Sequence, residues 1–443
     1  MKLELLFTFC MRISNLIKVK QMKGNIIIKN ASQLVTCSGF GAKHGSAMSD
    51  LHVIDDGAVV IENGIITAVG RTEKLLDRFN EAGFETIDAT GKAVLPGFID
   101  SHTHFVFGGY RVEEFSWRLS GEDYMEIMKR GGGIAATVRA TRGASREELI
   151  ESGSKRLDSM LSFGVTTVEG KSGYGLDDET EIKQLEVMGE LDSLHPVDIV
   201  RTFLGAHAVP EDFQGREDKF IDYMTDDIMP QVANRSLAEF CDVFCEKGVF
   251  SIEQSRRLLI KAKELGFKLK IHADEIFPLG GTELAAELGA VSADHLLHAS
   301  DRGINELSKE GIVATLLPGT AFSLKESYAR GRYIIDQGCA VALATDFNPG
   351  SCFTESIPLI FVLTTLYMGI TIEEAVTALT INGAAAIDRA DKIGSIDVGK
   401  TGDVIILEFP SYKFIPYHIG VSCVEKVIKN GNLVFDKENK IGS

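Results

Sequence analysis

The chain has 443 residues, more than one typical core accommodates, so two domains or one large barrel with an appendage are expected. Apolar residues make up 44% and charged residues 25%, the balance of a globular protein. The net charge of −17 repels phosphate backbones, which excludes nucleic acid as an expected partner, and it obliges any anionic substrate to find a local cation.

Residues 1–21 are basic, with Lys2, Arg12, Lys18 and Lys20 against Glu4. Their apolar stretch is short and no small-residue cleavage site follows, so they read as an extension outside the fold, with Met22 as an alternative start. Residues 25–92 are β-rich: Ile26 to Lys29, Gly57 to Ile61 and Ile65 to Gly70 are β-prone runs, and Asn63-Gly64 signals a tight hairpin. From Pro96 short apolar runs alternate with helical patterns. Strands are predicted over Phe98 to His102, Val165 to Glu169, Ile199 to Gly205, Lys268 to His272, Ser292 to Leu296, Ile312 to Leu316 and Val341 to Thr345. Helices are predicted over Arg146 to Phe163, Ile252 to Leu265 and Thr371 to Leu379. Such alternation implies parallel strands joined by crossover helices, and about eight units predict an α/β fold, a (β/α)₈ TIM barrel over residues 98–389. Beyond residue 390 the β texture returns at Val404 to Leu407, Val424 to Lys429 and Leu433 to Phe435. Residues 22–97 and 390–443 are expected to pair into one small β-sandwich built from both chain ends.

No apolar run reaches about 18 residues, so no membrane-spanning helix is expected. The seven cysteines contain no Cys-x-x-Cys pair, which points to reduced thiols and a cytoplasmic setting. Cys241 and Cys245, four positions apart, read as helix residues packed inward.

The chemistry gathers at predicted strand ends. Ser101-His102-Thr103-His104 follows an apolar run, and strand residues two apart share a face, so both imidazoles reach one ion. Neutral imidazole suits Zn²⁺ or Fe²⁺. Leu269 to Glu275 ends in His272, Asp274 and Glu275; Ala342 to Asp346 ends in an aspartate before a turn; Ser292 to His295 ends in Asp294-His295. Singly, Asp346 is equally a helix cap, His295 a core histidine and Glu275 a loop carboxylate. Jointly, they lie where a barrel places its active site.

These residues carry a family likeness. Pro96 to His104, the later His272 and Asp346, and Gly394 to Asp403 resemble the amidohydrolase superfamily. Val106 to Arg111, Gly131 to Ile134, Lys171 to Gly175, Gly205 to Ala208, His272 to Glu275 and Thr345 to Ser351 resemble, more narrowly, the imidazolonepropionase family of histidine degradation. The likeness runs from about residue 24 to the C-terminus and departs at Cys352-Phe353, where smaller or more rigid residues are usual. It implies hydrolysis of the cyclic amide C–N bond of 4-imidazolone-5-propanoate to N-formimidoyl-L-glutamate. It also implies one Zn²⁺ or Fe ion per chain, held by His102, His104, His272 and Asp346, with a small-molecule substrate as the partner and a homodimer compatible. Proton handling falls to Glu275, His295 and Asp346, undivided among them. Arg111 is the implied clamp for the propanoate, since its fork matches a carboxylate. Tyr174, His207 and Glu275 are implied substrate contacts, with Asn348, Gly350 and Ser351 at the product end. A single ion leaves Lys171 no role as a carboxylated bridge between two metals. The nearest rival is a nucleobase-type deaminase with the same His, Glu and Asp set, which has no need of Arg111 or the Tyr174 segment. A metal-free scaffold on the same fold is disfavoured by the full ligand set.

Overall fold

A computed structural model describes residues 24–122, 126 and 130–438; the extension at 1–21 and the start at Met22 lie outside the described residues. Five strands precede the barrel: β1 Ile26–Val35, β2 Val53–Glu62, β3 Ile65–Arg71, β4 Glu85–Asp88 and β5 Ala93–Pro96. The barrel strands are β6 Phe98–Thr103, β7 Val165–Lys171, β8 Asp198–Ala206, β9 Phe240–Cys245, β10 Lys268–Ala273, β11 Ser292–His295, β12 Val313–Leu316 and β13 Ala340–Leu343. Three strands follow: β14 Val404–Leu407, β15 Val424–Lys429 and β16 Asn432–Asp436.

The chain ends meet in one mixed sheet of order β16-β15-β14-β5-β1-β2-β3, with β4 also on β1. The closing pair is β5 with β14, antiparallel, Ile405 opposite Leu95. Asn63 and Gly64, both at positive φ, make the β2–β3 hairpin. Strand alternation divides the burial. Val404 and Ile406 join Ile26, Ile28, Val59 and Ile61 in the sheet's own core, whereas Ile405 and Leu407 pack into the barrel's core. Gly97 makes the passage from β5 to β6, where a Cβ would stand 2.3 Å from the Thr166 side chain.

The eight barrel strands pair in chain order and in parallel. The ends are drawn together by Asp346 N–H donating to the His102 carbonyl (3.1 Å) and His104 N–H to the Phe347 carbonyl (2.9 Å). The connecting helices form as their patterns require. Helix Ile252–Glu264 starts at a Ser251 capping box and buries Ser255, Leu258, Leu259 and Ala262, one stripe. Helix Arg146–Ser162 starts at a Ser145 box in the same way.

One reading is corrected. Cys241 and Cys245 lie on strand β9, not on a helix; both are buried in the main core. Phe240-Cys241-Asp242-Val243-Phe244-Cys245, rich in aromatic and β-branched residues, pairs in parallel with β8 and β10. Its four-residue cysteine spacing is two strand repeats as much as one helical turn.

Candidate active site

All the histidines singled out at strand ends converge at the C-terminal mouth of the barrel. His102 lies one residue before the end of β6 and His104 just beyond it; their ring centroids are 5.4 Å apart. His272 on β10 brings its ring to 4.6 Å from His102, and His295, at the end of β11, lies 5.1 Å from His272. Asp346 follows β13, with Oδ1 at 3.6 Å from Nε2 of both His102 and His104. Donor atoms of His102, His104 and Asp346 lie within 4.8 Å of one another, as do those of His102, His272 and His295. Asp274, His295 and Asp346 all have positive φ, at 51°, 76° and 51°, a conformation that costs a non-glycine residue energy and that gathers at functional sites.

Neighbours on the barrel wall hold these groups. Thr345, beside Asp346, donates its N–H (3.0 Å) and hydroxyl (2.6 Å) to Asp100 of β6, tying the two ligand-bearing segments together. Thr320 donates to Asp346. Asp274 turns away from the mouth and accepts from the N–H groups of Leu279, Gly280, Gly281 and Thr282, so it braces the loop that carries Glu275.

Burial sets the protonation states. Desolvation lowers His102, His104 and His295 well below the usual histidine value and takes His207 to about 3, so these rings are neutral. Burial raises Asp346 to about 6, against the Thr320 hydrogen bond, and Asp100 to about 7. Glu275 rises well above the carboxylate range, through burial first and the nearby Asp346 charge second. Its Oε2 is 3.5 Å from Nε2 of His295.

A second set lies on one side of the mouth. Arg111 donates from Nε to Glu114 (2.8 Å) and from Nη2 to the other Glu114 oxygen, and Gly133 N–H adds to Glu114 (2.7 Å). Arg111 lies against Gly350, where a Cβ would fall 2.0 Å from its Nη1. Arg118 Nη2 donates to the Gly350 carbonyl at 3.0 Å. Asn348 ties this turn to the ligand segment: it donates to the Asp346 carbonyl (2.7 Å) and accepts from Gly350 N–H (2.8 Å) and Ser351 N–H (2.7 Å). On the facing side His207 stacks on His104 at 4.8 Å, and Tyr174 is 5.8 Å from His104 and buried. Glu181 fixes the Tyr174 loop by accepting from the N–H groups of Gly173, Gly175 and Leu176.

Sequence reasoning missed Asp100, Glu114, Glu181, Asp242, Thr320 and Lys270, and left Asp294 without a role. The signal for several was legible: charged residues alternate within otherwise apolar strands, as in Glu169-Gly170-Lys171 and Lys270-Ile271-His272, and so face the interior.

The Amidohydrolase family profile matches residues 85–142 and 127–435. An imidazolonepropionase of Clostridium tetani is 64% identical over 94% of this chain and 99% of its own length. Another, of Parabacteroides distasonis, is 60% identical over 92% and 98%. The chain belongs to the imidazolonepropionase family of amidohydrolases. Solved structures show the same fold at low identity. A triazine hydrolase variant has a TM-score of 0.70 at 15% identity, covering 95% of this chain and 96% of that one. A Xanthomonas campestris adenosine deaminase with bound zinc has 0.69 at 16%, covering 94% of each.

Membership of an amidohydrolase family implies a metal ion, and the donors of this imidazolonepropionase-family mouth fit one. Nε2 of His102 and both ring nitrogens of His272 are buried with no hydrogen-bond partner, an expensive arrangement unless something else takes a lone pair. The 3.6 Å spacings to Asp346 match those between ligands each about 2.1 Å from one centre.

Proposed function

We propose that this protein is a metal-dependent imidazolonepropionase that opens 4-imidazolone-5-propanoate to N-formimidoyl-L-glutamate. One observation carries the reading: a three-imidazole, one-carboxylate mouth shares its rim with a braced guanidinium. A deaminase acting on a neutral base has no use for that guanidinium. His102, His104, His272 and Asp346 are the proposed holders of one Zn²⁺ or Fe ion per chain. When bound, such an ion lowers the pKa of a water from 15.7 towards about 7 and polarises a carbonyl.

This chain's residues do the rest. Arg111, oriented by Glu114, takes the propanoate through its remaining donors beside Gly350. Tyr174 and His207 flank the imidazolone ring, and Asn348, Gly350 and Ser351 line the product end. Asp346 and neutral His295 are the bases that take the attacking water's proton as it adds to the ring carbonyl. His295 also steadies the oxygen that becomes negative. Glu275, whose carboxyl burial and the nearby Asp346 charge push towards the protonated form, gives its proton to the ring nitrogen as the C–N bond breaks. The deciding assay offers imidazolonepropionate beside a panel of nucleobases. Ring opening without ammonia release supports the reading, and ammonia release from a base overturns it.

Two outcomes follow. Asp346 rises to about 6, so below that pH a metal ion must displace its proton. Zn²⁺ affinity of the metal-free protein, read by chelator competition, should be level above pH 6 in its Asp346 contribution and fall about tenfold per pH unit beneath it. Gly350→Ala should leave the melting temperature nearly unchanged, because the atom met is the end of a flexible side chain. It should displace Arg111 and raise KM roughly tenfold, about 1.4 kcal/mol of lost binding.

The setting is proposed as cytoplasmic. The described cysteines are all free and buried, as reduced thiols would be, and among the described residues no helix is long and apolar enough to cross a membrane. Residues 22–97 with 390–443 are proposed as one β-domain beside the 98–389 barrel, supported by the β5–β14 pairing.

A further inference from the structure

Beneath the mouth, the barrel interior holds charge where Val, Ile and Leu are usual. Glu169, Lys171, Asp242, Lys270 and Asp294 are at most 1% exposed. Lys171 Nζ donates to Glu169 (2.9 Å) and Asp242 (2.7 Å) and stands 3.6 Å from Asp294. Lys270 Nζ donates to Glu169 (2.7 Å) and the Ser101 carbonyl (3.0 Å) and stands 3.7 Å from Asp294. Three carboxylates and two ammoniums leave one surplus negative charge, and its outlets are two of the histidines above. Asp294 Oδ2 is 2.6 Å from Nδ1 of His102, and Asp242 Oδ2 is 3.0 Å from Nδ1 of His272. A carboxylate only accepts, so Nδ1 of His102, hydrogen-bonded to Asp294, carries the proton and its Nε2 is left as a bare lone pair turned to the mouth, while Asp242 stands beside the His272 ring as a counter-charge. Both aspartates are themselves fixed, Asp294 by the Ser292 hydroxyl (2.7 Å) and Asp242 by Val243 N–H (2.7 Å).

A buried ion cluster stabilises a fold no better than well-packed apolar side chains of the same volume. Fold stability alone therefore does not account for this one. We propose that Asp294 and Asp242, locked by Lys171, Lys270 and Glu169, are positioning residues for the metal: Asp294 sets the tautomer and aim of His102, and Asp294 and Asp242 together supply a fixed counter-charge beside the His102 and His272 rings. The inference rests on the metal-dependent reading above and extends it to residues that touch neither metal nor substrate.

The test uses the full-length protein and Zn²⁺, with affinity measured by chelator competition, and Co²⁺ as a spectroscopic reporter of ligand geometry. Asp294→Ala is expected to weaken Zn²⁺ binding by about 10–100-fold and to shift the visible Co²⁺ bands. Asp294→Asn keeps an acceptor for Nδ1 but not the charge, and should recover part of the loss. Asp242→Asn is the independent variant at the other histidine. Folded variants with wild-type Zn²⁺ affinity and Co²⁺ spectrum overturn the proposal, as does loss of fold in all three, which marks a purely structural cluster. Failure of the wild-type protein to bind Zn²⁺ or Fe²⁺ defeats the metal-dependent reading itself, and is told apart by needing no variant.

Discussion

Arg111→Ala is expected to lower kcat/KM for 4-imidazolone-5-propanoate by about 100-fold or more. A hydrogen-bonded guanidinium–carboxylate contact is worth up to about 3 kcal/mol, and every 1.4 kcal/mol is tenfold. The loss should fall on KM, because the clamp grips a part of the substrate that does not react. An imidazolone lacking the carboxylate should lose little. Equal losses on the two substrates would remove Arg111 as the clamp. Arg111→Lys should rescue poorly: Glu114 engages the planar fork at Nε and Nη2, and an ammonium cannot hold Glu114 and the substrate in one plane. The surrounding charge makes the clamp necessary. A chain with a net −17 repels an anion everywhere except at such a point.

His102→Ala is expected to reduce bound metal from about one ion per chain to almost none and to lower kcat on the order of 10⁴-fold, as the attacking water reverts towards its ordinary pKa. His102 lies at the junction of the site: it shares donor clusters with His104 and Asp346 and with His272 and His295, and it rests on Asp294. Metal analysis of the purified wild-type protein and the variant checks this directly. Two ions per wild-type chain would defeat the single-ion reading, and a variant that keeps its metal would remove His102 as a ligand.

Much of this was legible in the residues alone. Strand–helix alternation after Pro96 led to the barrel, and the β-rich ends led to one small β-domain, expected as a sandwich, because the two periods, 2 and 3.6, are local properties of the chain. His102 and His104 announced themselves through i, i+2 spacing after an apolar run. Strand β9 escaped because six residues with a central aspartate match neither a buried nor an alternating strand cleanly. Its missing place hid Asp242.

By itself the sequence determined the residue types at the strand ends, and so the chemistry on offer: imidazoles, carboxylates and an arginine. Only the tertiary structure decided which of them meet and in what charge state. Tautomers are set by partners far away in the chain, as Asp294 is for His102, 192 positions on. Protonation is set mainly by depth, since burial is the largest cause that raises Glu275 and Asp346 and lowers His295. Even neighbours diverge: Asp274 and Glu275 are adjacent, yet one braces a loop and the other faces the site. Desolvation and long-range pairing depend on the closed barrel, and no local pattern encodes them.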